Sequence, residues 1–217
     1  MTRTMRLGVL GGTFDPPHYG HLLLADTARV QLSLHQVLFI PAGNPPHKPT
    51  TQPTQVAHRA ALVEAALADA CEPTFALSRI DIDRPGPHYT ADTLALVHDE
   101  YPGADVWFLI GADSLNDLPT WYKPNRILLM ARLGVLPRPG YAPDLEVLTT
   151  LLKGVDAGVP RVPLRSQVDW LAGPSLDVSS SALRERVRRG LPLRFLAPPS
   201  VADYVRRHHL YGKESGI

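Results

Sequence analysis

Cysteine is almost missing from this chain: Cys71 stands alone among 217 residues. No internal disulfide can form, and no cysteine-based zinc site exists. Cys71 itself reads as a small buried filler at the end of an alanine-rich segment. The sequence has no apolar run of 18 or more residues, and its first residues lack the apolar core of a signal peptide. Both absences point to a cytoplasmic protein with no membrane partner. An excess of charge is missing as well: 22 Lys+Arg against 21 Asp+Glu leave a net charge of +1. Such a balance gives no footprint for a nucleic-acid partner. Oligomeric state is not written in the residues.

What the chain does have is an ordinary hydrophobic share of 44%, enough to bury a core. Its length fits a single domain, read as a core over 1–175 with a small helical C-terminal part over 176–217. The 22 prolines and 16 glycines fall mainly between the periodic segments and act as loop punctuation.

Short apolar runs at Leu7–Leu10, Val37–Ile40, Val106–Ile110, Leu133–Leu136 and Val168–Leu171 predict buried strands, and the alternation over Thr74–Ile82 predicts another. Helical patterns lie between them, at His18–Leu32, Gln55–Ala70, Thr90–Tyr101 (with Thr90 as N-cap), Arg126–Ala131 and Asp144–Leu152. Two basic helices, Ser180–Arg189 and Val201–His208, close the chain. Strands separated by helices imply an α/β fold, a doubly wound parallel sheet whose ligand lies beyond the strand ends where the strand order reverses. The strands ending at Gly11-Gly12 and at Gly111 are the natural neighbours at that point.

The segment leaving the first strand reads Gly11-Gly12-Thr13-Phe14-Asp15-Pro16-Pro17-His18-Tyr19-Gly20-His21. It matches neither the dinucleotide fingerprint nor the lysine-containing phosphate loop. Its parts nevertheless suit phosphate: bare glycine N–H groups, the Thr13 hydroxyl, and a helix N-terminus near His18. His18 and His21 share one helical face, and two imidazoles there can donate to a phosphoryl group. A helix cap paired with a core histidine is the plainer reading, and a metal pair lacks a third ligand nearby. Val178-Ser179-Ser180-Ser181-Ala182-Leu183-Arg184 offers a second set of hydroxyls at a helix start, with a guanidinium one turn in. By itself this segment would pass for an ordinary cap on a solvated basic helix.

Together the two segments resemble the paired signatures of the nucleotidyltransferase superfamily, G-x-F-D-P-x-H-x-G-H and I-S-S-T-x-x-R. Val178 and Ser181 replace isoleucine and threonine, mild exchanges. The likeness is strongest to the bacterial nicotinate-nucleotide adenylyltransferases. Pro45-Pro46-His47-Lys48, Tyr89-Thr90-Ala91-Asp92-Thr93-Leu94, Gly111-Ala112-Asp113-Ser114, Trp121 and the closing Val201, Tyr204 and Leu210-Tyr211 carry it. The resemblance spans about residues 6–137 and 176–211; residues 138–167 match nothing in it.

The resemblance implies a Rossmann-like nucleotidyltransferase fold and transfer of AMP from ATP to nicotinate mononucleotide. It implies catalysis by His18, His21 and Arg184. Gly11, Gly12, Thr13, Phe14, Asp113, Ser180 and Ser181 would hold ATP and its phosphates. His47, Lys48, Tyr89, Thr90 and Trp121 would hold the mononucleotide, with Trp121 stacking on its ring. Mg2+ would travel with ATP, without a dedicated protein site. Sister enzymes acting on nicotinamide mononucleotide or phosphopantetheine share the first motif, as do aminoacyl-tRNA synthetase cores, which need a tRNA-binding domain this length leaves no room for. A nucleotide-sensing module without turnover is the non-enzymatic alternative.

Overall fold

The structure is a computed structural model that describes residues 4–43, 53–137, 167–174 and 176–212. Apolar runs become strands where both faces can be covered. They are β1 (Arg6–Gly12), β2 (Gln36–Pro41), β3 (Phe75–Leu77), β4 (Asp105–Gly111), β5 (Arg132–Leu136) and β6 (Val168–Trp170). All six pair in parallel, in the order β3-β2-β1-β4-β5-β6. This is the Rossmann-like doubly wound arrangement, and β1 indeed lies between β2 and β4 at the reversal of strand order.

Alternation along each strand sorts the core into two halves. Leu7 and Val9 of β1, Leu38 and Ile40 of β2, and Val106, Phe108 and Ile110 of β4 face one side. There they meet Leu94 and Val97 of α3 (Thr90–Glu100), Leu115 of α4 (Ala112–Asp117) and Ile127 of α5 (Pro124–Met130). Leu10, Val37, Phe39, Trp107 and Leu109 face the other side, under α1 (Tyr19–Gln31) and α2 (Val56–Ala70). The far face of α2 supplies Leu62 and Ala66 to a third cluster. This is completed by Leu183 of α6 (Ser180–Arg188) and by Val201 and Val205 of α7 (Pro199–Arg207). The C-terminal helices are thus fastened to α2.

Several sequence expectations need correction. The third strand stops at Leu77, because residues 79–83 form a turn in which the amides of Ile82 and Asp83 donate to the Arg79 carbonyl. Asp81 is then drawn inside, where a polar network outweighs the alternating pattern. The N-cap of α3 is Tyr89; Thr90 is its first residue. The short α4 and the 3-10 turn Leu118–Thr120 that follows it are further elements. Cys71 is exposed, not buried: it ends α2 in the left-handed region, at φ 50°, which turns it away from the core. The expected helix over Asp144–Leu152 lies outside the described residues.

Candidate active site

Two cavities open at the carboxyl ends of β1 and β4, one on each side of the loop leaving β1. The larger, about 440 Å3, is walled by Gly11, Gly12 and Thr13, by His18 and His21, by Asp113, and by Ser180 and Ser181. Residues from three distant stretches of sequence therefore meet around one space.

The local chain explains how. After Gly12 the backbone makes a left-handed step at Phe14 (φ 49°), which sends that ring inward. Phe14 is 1% exposed and meets His21 edge-on at 4.9 Å. Its side chain is packed beneath the site and walls neither cavity. His18 caps α1 with an extended backbone, and its N–H donates to His21 Nδ1 at 3.1 Å. The two imidazoles stack with centroids 3.7 Å apart. Because Nδ1 of His21 accepts, the neutral ring carries its hydrogen on Nε2 and presents a donor there. Gly20 lets this turn close: a Cβ would sit 3.0 Å from His18 Nδ1 and 3.1 Å from Val178 Cγ1.

The start of α6 is fastened to the same loop. Ser179 caps the helix, its oxygen accepting from the Ala182 amide at 3.2 Å. Ser180 Oγ donates to the Pro16 carbonyl at 2.8 Å. Arg184 gives Nη1 to the Asp15 carbonyl at 2.7 Å and Nη2 to Ser181 Oγ at 3.2 Å. It does not wall the large cavity. Its fork ties the first motif to the second, and so brings the starts of α1 and α6 to one space, which suits an anion.

The smaller cavity, about 180 Å3, shares Gly11, Gly12, Thr13, Phe108 and Trp121 with the first. Tyr89, Thr90, Thr93, Asp81 and His88 form its other wall. Trp121 thus borders both spaces, half-buried, with its ring edge-on to Phe108 at 6.0 Å. It is packed against the core and exposed to the cleft at once. Tyr89 stacks on Tyr122 at 4.2 Å, and Lys123 Nζ lies 4.7 Å over the Tyr122 ring. Below them Asp81 is buried, accepting from Thr93 Oγ1 at 2.8 and 2.9 Å and from Arg84 at 2.9 Å. Gly43 presses on this corner so tightly that a Cβ would lie 2.7 Å from the Asp81 carbonyl and 2.6 Å from His88 Cε1. His47 and Lys48 lie outside the described residues.

Sequence reasoning missed the group at the centre. Arg59 is 1% exposed. Its guanidinium donates to four carbonyls: Thr13 (2.9 Å), Ala42 (2.7 Å), Gly43 (2.8 Å) and Thr54 (2.8 Å). One cation thereby fixes the exits of β1 and β2 and the entry to α2. Burial pushes its pKa down, and the Asp15 charge opposes that shift. The signal was available: Arg59 falls on the same helical face as Leu62, Val63 and Ala66, a charge set in an apolar stripe.

Comparison with known proteins agrees with this architecture. Residues 9–186 match the cytidylyltransferase-like family. The chain belongs to that family. This cytidylyltransferase-like chain is 45% identical over 207 residues to a protein of Thermomicrobium roseum named "Probable nicotinate-nucleotide adenylyltransferase", covering 95% of this chain and 91% of that one. A Roseiflexus protein of the same name is 45% identical, over 94% and 97% of the two chains. In three dimensions this chain resembles the Plasmodium falciparum nicotinic acid mononucleotide adenylyltransferase solved in complex with NaAD. The TM-score is 0.74 at 17% identity, over 95% and 97% of the chains, a likeness of fold.

Proposed function

We propose that the chain joins the AMP part of ATP to nicotinate mononucleotide, giving nicotinate adenine dinucleotide and pyrophosphate in NAD biosynthesis. The observation that carries this reading is the pair of cavities sharing one wall at Gly12, Thr13 and Trp121. Two nucleotides lying in them would meet phosphate to phosphate beside His18 and His21. The names of the relatives favour the same pair of substrates.

In this reading an oxygen of the mononucleotide 5′-phosphate attacks the α-phosphorus of ATP. The bond from that phosphorus to the bridging oxygen breaks, and pyrophosphate leaves. The acceptor brings its own nucleophile, so the protein aligns the reactants and neutralises charge. His21 and His18 donate to the transferring and neighbouring phosphates. Thr13 and the N–H groups around Gly11 and Gly12 steady the reacting oxygens. Ser180, Ser181 and the α6 N-terminus receive the leaving side, held there by Arg184. Asp113 accepts from a ribose hydroxyl, and Trp121 stacks on the pyridine ring beside Tyr89 and Thr90. Among the described residues no group of three or more His, Cys, Asp or Glu is arranged around a common point for a metal. Triphosphate oxygens and water are donors suited to magnesium, and in this reading the metal arrives with ATP. No described helix is long and apolar enough to cross a membrane.

Purified protein given ATP, magnesium and one acceptor at a time should release pyrophosphate fastest with nicotinate mononucleotide. A site built to meet a charged carboxylate loses binding when an amide replaces it. Equal turnover of nicotinamide mononucleotide would overturn the acid preference, and turnover with phosphopantetheine alone would overturn the acceptor class. Binding of ATP without turnover of any acceptor would leave a sensing module.

A further inference from the structure

We infer that Tyr211 is a positioning residue for the phosphate loop, acting on it through the carboxylate of Asp15 across nearly the whole length of the chain. The inference rests on the adenylyl-transfer reading above and adds a residue to which the reaction scheme gives no part.

Asp15 lies in the middle of the first motif, between the left-handed step at Phe14 and the cap His18, and is 4% exposed. Its carboxylate has two hydrogen-bond partners from outside the loop. Tyr211 Oη donates to Oδ1 at 2.7 Å, and the Thr54 amide donates to Oδ2 at 3.1 Å. The buried guanidinium of Arg59 supplies the compensating charge while holding the Thr54 and Thr13 carbonyls. On its main-chain side Asp15 accepts from Arg184. A buried carboxylate left short of a donor is costly, so each partner constrains where the loop can rest.

Two features separate Tyr211 from an ordinary tail contact. First, its backbone stands in the left-handed region, at φ 62°, rarely occupied by an aromatic residue. Residues held in that region mark places where the surroundings dictate the conformation. Second, its phenol stays a donor: burial and the Asp15 charge push its pKa far above the ordinary value, so the proton remains on oxygen. Tyr211 is therefore a neutral, preset hydrogen-bond donor aimed at Asp15, between Thr13 and His18. Fixing Asp15 fixes the spacing from the β1 exit to the α1 start, which is the spacing a transferring phosphoryl group must fit. Small displacements of reacting groups reduce rate far more than affinity.

The test is steady-state kinetics with ATP and nicotinate mononucleotide, together with thermal melting, on Tyr211→Phe, Asp15→Asn and their double variant. Tyr204→Phe serves as the control. Tyr204 loses a comparable hydroxyl, bonded to His58 Nδ1 at 3.0 Å, with no link to the loop. Tyr211→Phe should lower kcat about tenfold while each KM stays within about threefold. The double variant should be no worse than the poorer single one, because both cut the same contact. Tyr204→Phe should keep its kcat. An unchanged kcat with only a lower melting temperature would make Tyr211 a structural brace and sink the proposal. So would a change confined to KM, or a Tyr211→Phe chain that fails to fold. A wild-type chain that makes no dinucleotide would instead overturn the function on which the proposal rests.

Discussion

The two cavities at the switch point are built by different means. On the side that the proposed reaction assigns to the phosphates, the wall is made of backbone ends, hydroxyls and imidazoles, held by hydrogen bonds between segments far apart in sequence: Ser180 to Pro16, Arg184 to Asp15, Arg59 to Thr13. On the side it assigns to the acceptor the wall is aromatic, Tyr89 stacked on Tyr122 and Trp121 edge-on to Phe108, above the buried Asp81–Thr93 pair. Directional donors suit charge that develops during transfer, whereas flat apolar faces suit a ring that is merely held. The difference teaches where rate and affinity should part company. Changes on the phosphate side should register in kcat, and changes on the acceptor side in KM.

His21→Ala is the strongest way to break that contrast. It should lower kcat by roughly 10²–10³ while ATP binding, measured by calorimetry, changes little. A variant that keeps most of its rate would return His21 to a helix-capping role. Next comes Arg184→Lys, which keeps the charge but loses the fork spanning the Asp15 carbonyl and Ser181. Hydrogen bonds from charged groups contribute about 1.5–3 kcal/mol, so kcat/KM for ATP should fall about ten- to a hundredfold. An unaffected enzyme would show that the two motifs need no such tie. Trp121→Ala tests the opposite side. Loss of one aromatic stack, about 1 kcal/mol, should raise the KM for the mononucleotide about fivefold and leave that for ATP nearly unchanged. If the protein instead loses solubility, the contacts of Trp121 with the core outweigh its contact with the ring. The smallest effects belong to Arg186 and Arg188 on α6 and to Arg189 at its C-cap. Replaced by glutamine one at a time, each should change stability by less than about 0.5 kcal/mol in urea unfolding and leave the rate alone. A large loss at any of the three would extend the phosphate side along the helix.

Much of this architecture was legible before any coordinates. Leu7–Leu10, Val37–Ile40 and Val106–Ile110 read as strands because burial on both faces demands uninterrupted apolar runs. The placing of β1 beside β4 followed from crossover rules and the glycines at their ends. What escaped was tertiary. Ile80 and Ile82 alternate with polar residues, but one position out of step with Phe75 and Leu77; Asp81 between them takes Thr93 and Arg84 as partners, and a turn replaces the strand. Arg59 stands out as a charge in the apolar stripe of α2, but nothing local names the four carbonyls it reaches. Asp15 and Tyr211 are 196 positions apart, and no local pattern announces a hydrogen bond over that distance. Phe14 belongs to the motif by sequence, and its left-handed backbone hides its ring beneath the site.

The three tryptophans occupy three different surroundings. Trp107 is 2% exposed, with the Arg6 and Arg132 guanidinium carbons 4.7 and 5.1 Å from its ring and its Nε1 donating to Asp169. Trp170 stands 38% exposed on the edge strand β6. Trp121 alone borders the two cavities. The chain therefore contains an optical probe of its own occupancy: a ring settling on Trp121 should quench one emitter of the three, while the other two keep their environments and supply a constant background. Titration of the unlabelled protein could follow the acceptor arriving before any bond is made.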